Sequence, residues 1–386
     1  MRQHISYNPV IHAMFIIQRK DFDFLIGALK QRGFNVIGPV VRDNAIVYDH
    51  VDQASDFPVG RTEEREKASY RVKPRSDGAL FGYTVGPVSW KRFLFPPRVK
   101  LFSVARKGKT MEIESDASRD HLPRYAFIGV RSCDLCAIDI QERVFRNEQF
   151  SDPTYLTRQK NVFIAAINCT QSAGTCFCVS MNAGPKVKGK FDLALTEVIG
   201  GGAHYFVVEV GSAEGAEVMK EVPHGNADVS EIAEAEKLIE SAAQSMGRTM
   251  KTEDLREILM SNLESVHWDD VARRCLMCAN CTMVCPTCFC STVEDVTDLS
   301  GDHAERWKRW DSCFAMDFAK VTGGNFRPSS KARYRQWMTH KLASWIDQFG
   351  ISGCVGCGRC IAWCPVGIDI TVEAQALRNT GVRIDA

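Results

Sequence analysis

A run of four cysteines occurs twice in this chain with the same spacing, and nothing else in the sequence constrains the fold as tightly. Cys275-x2-Cys278-x2-Cys281-x3-Cys285-Pro286 returns as Cys354-x2-Cys357-x2-Cys360-x3-Cys364-Pro365. This is the spacing of two-cluster iron–sulfur motifs. Three thiolates two residues apart wrap one cluster on a tight loop, and the fourth reaches across to the other cluster. The proline that follows ends the loop and turns the chain. By that crossing, one 4Fe-4S cluster takes Cys275, Cys278, Cys281 and Cys364, and the other takes Cys354, Cys357, Cys360 and Cys285. Paired zinc ribbons would instead need two C-x2-C pairs closing tetrahedrally on one ion. Each run here offers four thiols and a proline, and the cluster spacing is met at every position.

The chain has 16 cysteines, and eleven of them lie from Arg273 onward. Bunching of this kind points to metal or redox chemistry rather than to scattered disulfides. Met1 to Lys20 has polar residues interspersed throughout and no h-region, so a leaderless, cytoplasmic protein is expected. No apolar run approaches the roughly 18 residues that span a bilayer. A formal net charge of +1 gives no bulk electrostatic case for nucleic acid or an anionic membrane. With 45% hydrophobic and 25% charged residues, the 386-residue chain is a globular one with room for two or three domains.

Strand-like apolar runs in the N-terminal half are Val36–Val41, Tyr125–Val130, Val162–Asn168 and Tyr205–Val210, the last after a turn signal at Gly200–Gly202. Leu135 to Arg146 carries apolar residues at helical spacing between the second and third runs, which reads as a βαβ unit with parallel strands. The fold class expected for residues 1–211 is α/β or α+β. Residues 212–272 are rich in helix formers, broken at Pro223–Gly225, and read as a helical bridge. Residues 273–386 are expected to form an all-helical two-cluster domain, because Ala304 to Phe349, between the two motifs, is helix-prone.

The βαβ unit would bring Cys133 and Cys169 to the carboxyl edge of adjacent parallel strands, where open sheets bind ligands. Cys176-Phe177-Cys178 follows seven residues later, with both thiols on one side if the backbone is extended. A third four-iron cluster on Cys133, Cys169, Cys176 and Cys178 is one reading, with Asp134 or Cys136 as a replacement ligand. Such a site is expected to lie away from the helical pair of clusters. Buried reduced thiols are the other reading, since free cysteine packs as a small hydrophobe. Cys288, Cys290 and Cys313 exceed the eight motif ligands and are expected to pack around the clusters, with a metal-ligand role as the other reading. The basic stretch from Arg327 through Lys331, Arg333, Arg335 and Lys341 reads either as a solvated face or as cations that offset cluster charge or dock a partner. Gly200–Gly202 is a hairpin turn rather than a phosphate loop, and His267 and His303 are ordinary polar residues. No catalytic constellation and no flavin or nicotinamide fingerprint is present, so substrate chemistry is expected to belong to other subunits.

The separation of the two motifs resembles the all-helical ferredoxin domain of fumarate-reductase-type iron–sulfur subunits. More specifically, the chain resembles the β subunit of soluble NAD(P)-linked nickel–iron hydrogenases, the sulfhydrogenases. The segments that carry the resemblance run in order: Gly129-Val-Arg-Ser-Cys-Asp134, Cys169 with Cys176-Phe-Cys178, and Cys275 through Cys290. Arg309-Trp-Asp-Ser-Cys313, Gly323-Gly-Asn-Phe-Arg-Pro328 and Cys354-Val-Gly-Cys-Gly-Arg-Cys360 complete the set. The A subunit of anaerobic sulfite reductase is similar in the same places. The resemblance implies a non-catalytic electron relay within an oxidoreductase complex. Its partners would be a flavin- and NAD(P)-binding diaphorase subunit and the small and large hydrogenase subunits, or else sulfite reductase subunits. It runs through Cys133 and stops before Cys136, which favours Cys133 as a ligand. A structural or redox-sensing iron–sulfur protein is the alternative from a different class.

Overall fold

The computed structural model describes residues 14–114, 122–147 and 149–380. Residues 1–13, on which most of the leader reading rests, lie outside the described residues. Runs of β-branched and aromatic residues build the main layer. Its strands are β1 (Met14–Gln18), β2 (Asn35–Arg42), β3 (Ala45–His50), β8 (Tyr125–Arg131), β9 (Val162–Ile167), β10 (Leu193–Gly200), β11 (Ala203–Val210) and β12 (Gly225–Asn226). Four further strands lie elsewhere in the N-terminal half: the hairpin of β4 (Arg61–Glu66) and β5 (Ser69–Pro74), then β6 (Arg98–Lys107) and β7 (Thr110–Glu114).

The main sheet runs β12-β1-β11-β10-β9-β8-β2-β3. Its inner strands β2, β8, β9 and β10 are parallel, and its flanks close with antiparallel pairs. The expected βαβ unit is β8, the helix Ser132–Phe145 and β9. Both faces of β8 are buried, as a parallel inner strand requires. Ala126 and Ile128 face a core with the helix Phe22–Gln31, while Phe127 and Val130 face Leu135, Ile138 and Phe145. The register shifts between Ile128 and Val130, where Gly129 sits at a φ of 97° that suits glycine. Gly200 pairs with Ala203 across the β10–β11 hairpin, so the glycine run is a turn. The helix-rich stretch after Ser212 contains the helix Val229–Gln244, but β12 falls at its expected break and pairs with β1.

The C-terminal region is not all helical. Ser291–Thr297 (β13) and His303–Trp310 (β14) form a hairpin between the two cysteine motifs, and β14 pairs with β6 in a second sheet ordered β13-β14-β6-β7. Helix propensity misleads at 304–310 because the deciding partner is distant in sequence. The hairpin is laced by Arg306 on Asp295 and by Arg309 on Glu294, while Arg98 stacks on the Trp307 ring at 4.0 Å. Helix returns at Ser330–Thr339, passes a π-helical turn at His340–Ser344 and continues to Phe349. A core of Trp268, Trp337, Met338, Ile361 and Leu377 holds this half together, with Phe177 from the N-terminal half inserted in it. Among the described residues no helix is long and apolar enough to cross a membrane.

Candidate iron–sulfur sites

The two motif loops repeat one backbone geometry. Met277 and Ala279, two and four residues after the first cysteine, have φ values of 53° and 66°. Their counterparts Gly356 and Gly358 have 65° and 72°. Left-handed residues alternating in a tight loop turn successive N–H groups inward into an anion-binding concavity, which is what a thiolate-bound cluster needs. Holding non-glycine residues there costs about 1–2 kcal/mol each. The first motif tolerates this at two positions.

Cys275, Cys278, Cys281 and Cys364 line one cavity, and Cys360 adds to its wall. The fourth cysteine of the second motif is therefore beside the first three of the first motif. Reciprocally, Cys285 lies within electrostatic reach of Cys354, Cys357 and Cys360. Burial pushes the Cys281, Cys357 and Cys360 thiols up, and lifts Cys354 to about 12. Four ionised thiols in such a place are costly unless a metal centre neutralises them, and soft thiolate donors are the set that iron–sulfur clusters select. The residues thus fit the group.

Two lysines that are 3% and 4% exposed face the second motif's partner cysteine. Lys341, aimed inward by the π-helical turn, donates to Cys285 Sγ at 3.4 Å, to Thr287 Oγ1 at 3.0 Å and to the Gly353 carbonyl at 3.2 Å. Lys91 donates to the carbonyls of Cys285 and Cys288 at 3.0 and 3.2 Å, over the Trp310 ring. The Cys285 thiol is drawn well below its usual range by its hydrogen bond with Cys288, with the two lysines and Thr287 adding to it. Burial pulls Lys341 down, and the facing thiols Cys285, Cys288 and Cys354 more than reverse that pull.

Cys133 sits in the first turn of the helix that follows β8, and Cys169 lies just past the end of β9. Both reach the carboxyl edge of the sheet, where Cys176 and Cys178 join them around a second cavity. Cys357 of the second motif lines that same cavity, so the site abuts the helical region rather than lying away from it. The contact is intimate. Phe177 N–H donates to the Gly356 carbonyl at 2.9 Å, and a Cβ on Gly358 would fall 2.0 Å from the Thr175 carbonyl oxygen. Burial raises the Cys133, Cys169 and Cys178 thiols.

Buried guanidinium groups surround this cavity, and sequence reading singled out none of them. Arg65 donates to Cys176 Sγ at 2.9 Å and Arg131 to Cys169 Sγ at 3.8 Å. Arg359, between two cysteines of the second motif, holds both oxygens of Asp134 at 2.8 and 2.9 Å. Tyr48 Oη adds a third bond to that carboxylate at 3.3 Å. Asp134 is thereby committed to an ion pair and does not line the cavity, and neither does Cys136. Buried arginine carries no periodic signal, although its position inside C-x2-C-G-R-C was a legible hint.

Cys288 hydrogen-bonds with Cys285, and Cys290 with Cys313 at the base of the β13–β14 hairpin. The Cys313 partner lowers the Cys290 thiol to about 7. The basic stretch divides. Lys331 and Arg335 pair with Asp269 and Glu264, whereas Arg333 is buried on the carbonyls of Phe314, Ala315 and Met316. His267 holds Glu373 at 2.8 Å, an ordinary polar role.

A family model described as a 4Fe-4S dicluster domain matches residues 274–368. The chain is 33% identical over 310 residues to "Sulfhydrogenase 2 subunit beta" of Pyrococcus furiosus, which covers 79% of this chain and 88% of the relative. No solved structure matches it.

Proposed function

The chain belongs to the family of sulfhydrogenase beta subunits, and from that premise we propose that it is a non-catalytic iron–sulfur subunit of a hydrogenase complex. It relays electrons between a flavin- and NAD(P)H-binding subunit and the small and large hydrogenase subunits. The observation that carries this reading is the pair of duplicated loops, with the fourth cysteine of each beside the first three of the other.

In this reading Cys275, Cys278, Cys281 and Cys364 hold one four-iron cluster, and Cys354, Cys357, Cys360 and Cys285 hold a second. Cys133, Cys169, Cys176 and Cys178 hold a third, supported by their shared cavity and by the guanidinium groups that face it. A four-iron cluster at each place supplies reversible one-electron storage. The chain's own residues do the rest. Thiolates anchor, inward N–H groups and Lys341 offset negative charge, and Trp337, Tyr334 and Phe314 exclude water from the first-motif cavity. Residues 1–211, 212–272 and 273–386 are the proposed division into sheet domain, bridge and cluster domain, with a helical core around the two motifs. The cytoplasm is the proposed compartment, because reducing conditions keep cysteines unpaired.

The test uses the co-purified complex. Replacing Cys354 and Cys357 by serine is expected to abolish hydrogen-dependent NAD(P)+ reduction while hydrogen-dependent reduction of a small dye at the hydrogenase module persists. Unimpaired NAD(P)+ reduction in that variant would sink the relay.

A further inference from the structure

The second motif faces both other sites. Cys360 forms part of the wall of the first-motif cavity, and Cys357 forms part of the wall of the N-terminal four-cysteine cavity. One side chain ties the second motif to the N-terminal four-cysteine site. Arg65, on β4 and 1% exposed, donates through Nη2 to Cys176 Sγ at 2.9 Å and through Nη1 to the Cys357 carbonyl at 3.2 Å. Its hairpin is anchored nearby, where Ala68 N–H donates to the Ile361 carbonyl at 3.3 Å.

Arg65 pairs with one buried carboxylate without hydrogen-bonding to it. Glu63 stands 3.7 Å away, beyond hydrogen-bond distance, and is occupied by the Thr84 N–H and hydroxyl. Burial raises the Glu63 carboxyl, with Arg65 opposing. Of the other cations at this cavity, Arg131 is spent on the carbonyls of Phe81 and Tyr83 as well as on Cys169, and Arg359 on Asp134. A buried guanidinium needs partners; Glu63 offsets the charge of Arg65, and the guanidinium's two hydrogen bonds go to a thiol of one site and the backbone of the next.

We propose that Arg65 is the positioning residue that couples the N-terminal four-cysteine site to the second-motif cluster, making the second-motif cluster the middle member of a line of three. This rests on the reading of Cys133, Cys169, Cys176 and Cys178 as cluster ligands. One planar fork with two donors fixes the spacing between Cys176 and Cys357 in a way a lysine cannot. Its positive charge favours the more negative, reduced state at both neighbours, and its N–H to the Cys176 sulfur adds to this at the N-terminal site, so both potentials rise. The first-motif site lies beyond the second motif and is outside that reach.

The experiment is an anaerobic redox titration of the full-length, iron-loaded chain, followed by electron paramagnetic resonance, for the parent, Arg65→Met and Arg65→Lys. Arg65→Met is expected to shift the N-terminal and second-motif centres to lower potential and leave the first-motif centre in place. Arg65→Lys, which keeps the charge but loses the fork, is expected to give a smaller shift at the same two centres. Unchanged potentials in an iron-replete Arg65→Met, or a shift shared equally by all three centres, overturn the proposal. If Arg65→Met does not load, Arg65→Lys decides by the same criterion. A parent chain holding only about eight iron, with no third centre, overturns the underlying cluster reading and the coupling with it. The parent's iron count therefore separates the two failures.

Discussion

Replacing Gly358 by alanine adds two costs at one atom. The backbone there has a φ of 72°, a region that costs about 1–2 kcal/mol once a Cβ is present. That Cβ would stand 2.0 Å from the Thr175 carbonyl oxygen and 2.5 Å from its carbonyl carbon. Both are backbone atoms, so the two loops must part, an overpacking cost of about 1–3 kcal/mol. The sum of ~2–5 kcal/mol is a large share of the ~5–15 kcal/mol that holds a typical fold. Ala279 occupies the matching place in the first motif at a φ of 66°, so Ala279→Gly is the mirror experiment and is expected to be neutral or slightly stabilising. Anaerobic urea unfolding followed by tryptophan fluorescence reads the effect. Midpoints are compared, because cofactor-bearing chains depart from two-state unfolding. With a slope near ~3 kcal/mol/M, Gly358→Ala is expected to lose about 1 M in midpoint. It is also expected to lose the iron next to Thr175 first. A midpoint within about 0.2 M of the parent, with full iron, would refute the close approach of the two loops.

Cys364→Ser is expected to disturb the centre held by Cys275, Cys278 and Cys281, and loss of the second-motif signal alone would count against the crossed ligation. Asp134→Asn leaves Arg359 buried with half its partner and should cost about 3–5 kcal/mol; a urea midpoint equal to the parent's would contradict that. Iron loss should be promoted by acid. Burial raises the Cys133, Cys281, Cys357 and Cys360 thiols above their usual value, so the released thiols take up protons at every pH below their raised values. Release to a chelator is therefore expected to quicken from pH 8 to pH 6, and a flat profile would exclude this linkage.

The sites were legible in sequence to the extent that their spacing is local. Three thiols at three-residue steps fix a loop, and the loop repeats at Cys275 and Cys354 whatever surrounds it. Cys133 and Cys169 were placed by the βαβ rule, which ties strand ends to one edge. The nearness of Cys357 to them was not readable, because it depends on Gly356 and Gly358 nesting against Thr175 to Cys178 across the chain. The hairpin within the C-terminal region escaped for a related reason. Its residues 304–310 favour helix locally, and their partner strand lies near residue 100. Arg65, Arg131 and Arg359 look like surface cations in a sequence. Only the fold shows that they are buried against thiols, backbone carbonyls, Glu63 and Asp134.

In the proposed reading, this chain stores and passes electrons through three linked four-iron centres. An anaerobic reductive titration of the iron-loaded, full-length chain, counting electrons taken up and returned per polypeptide, tests it most directly. Three centres take up and return about three electrons, with about twelve iron and twelve sulfide. Uptake that ends at about two electrons with about eight iron, or full iron with no reversible uptake, would contradict it.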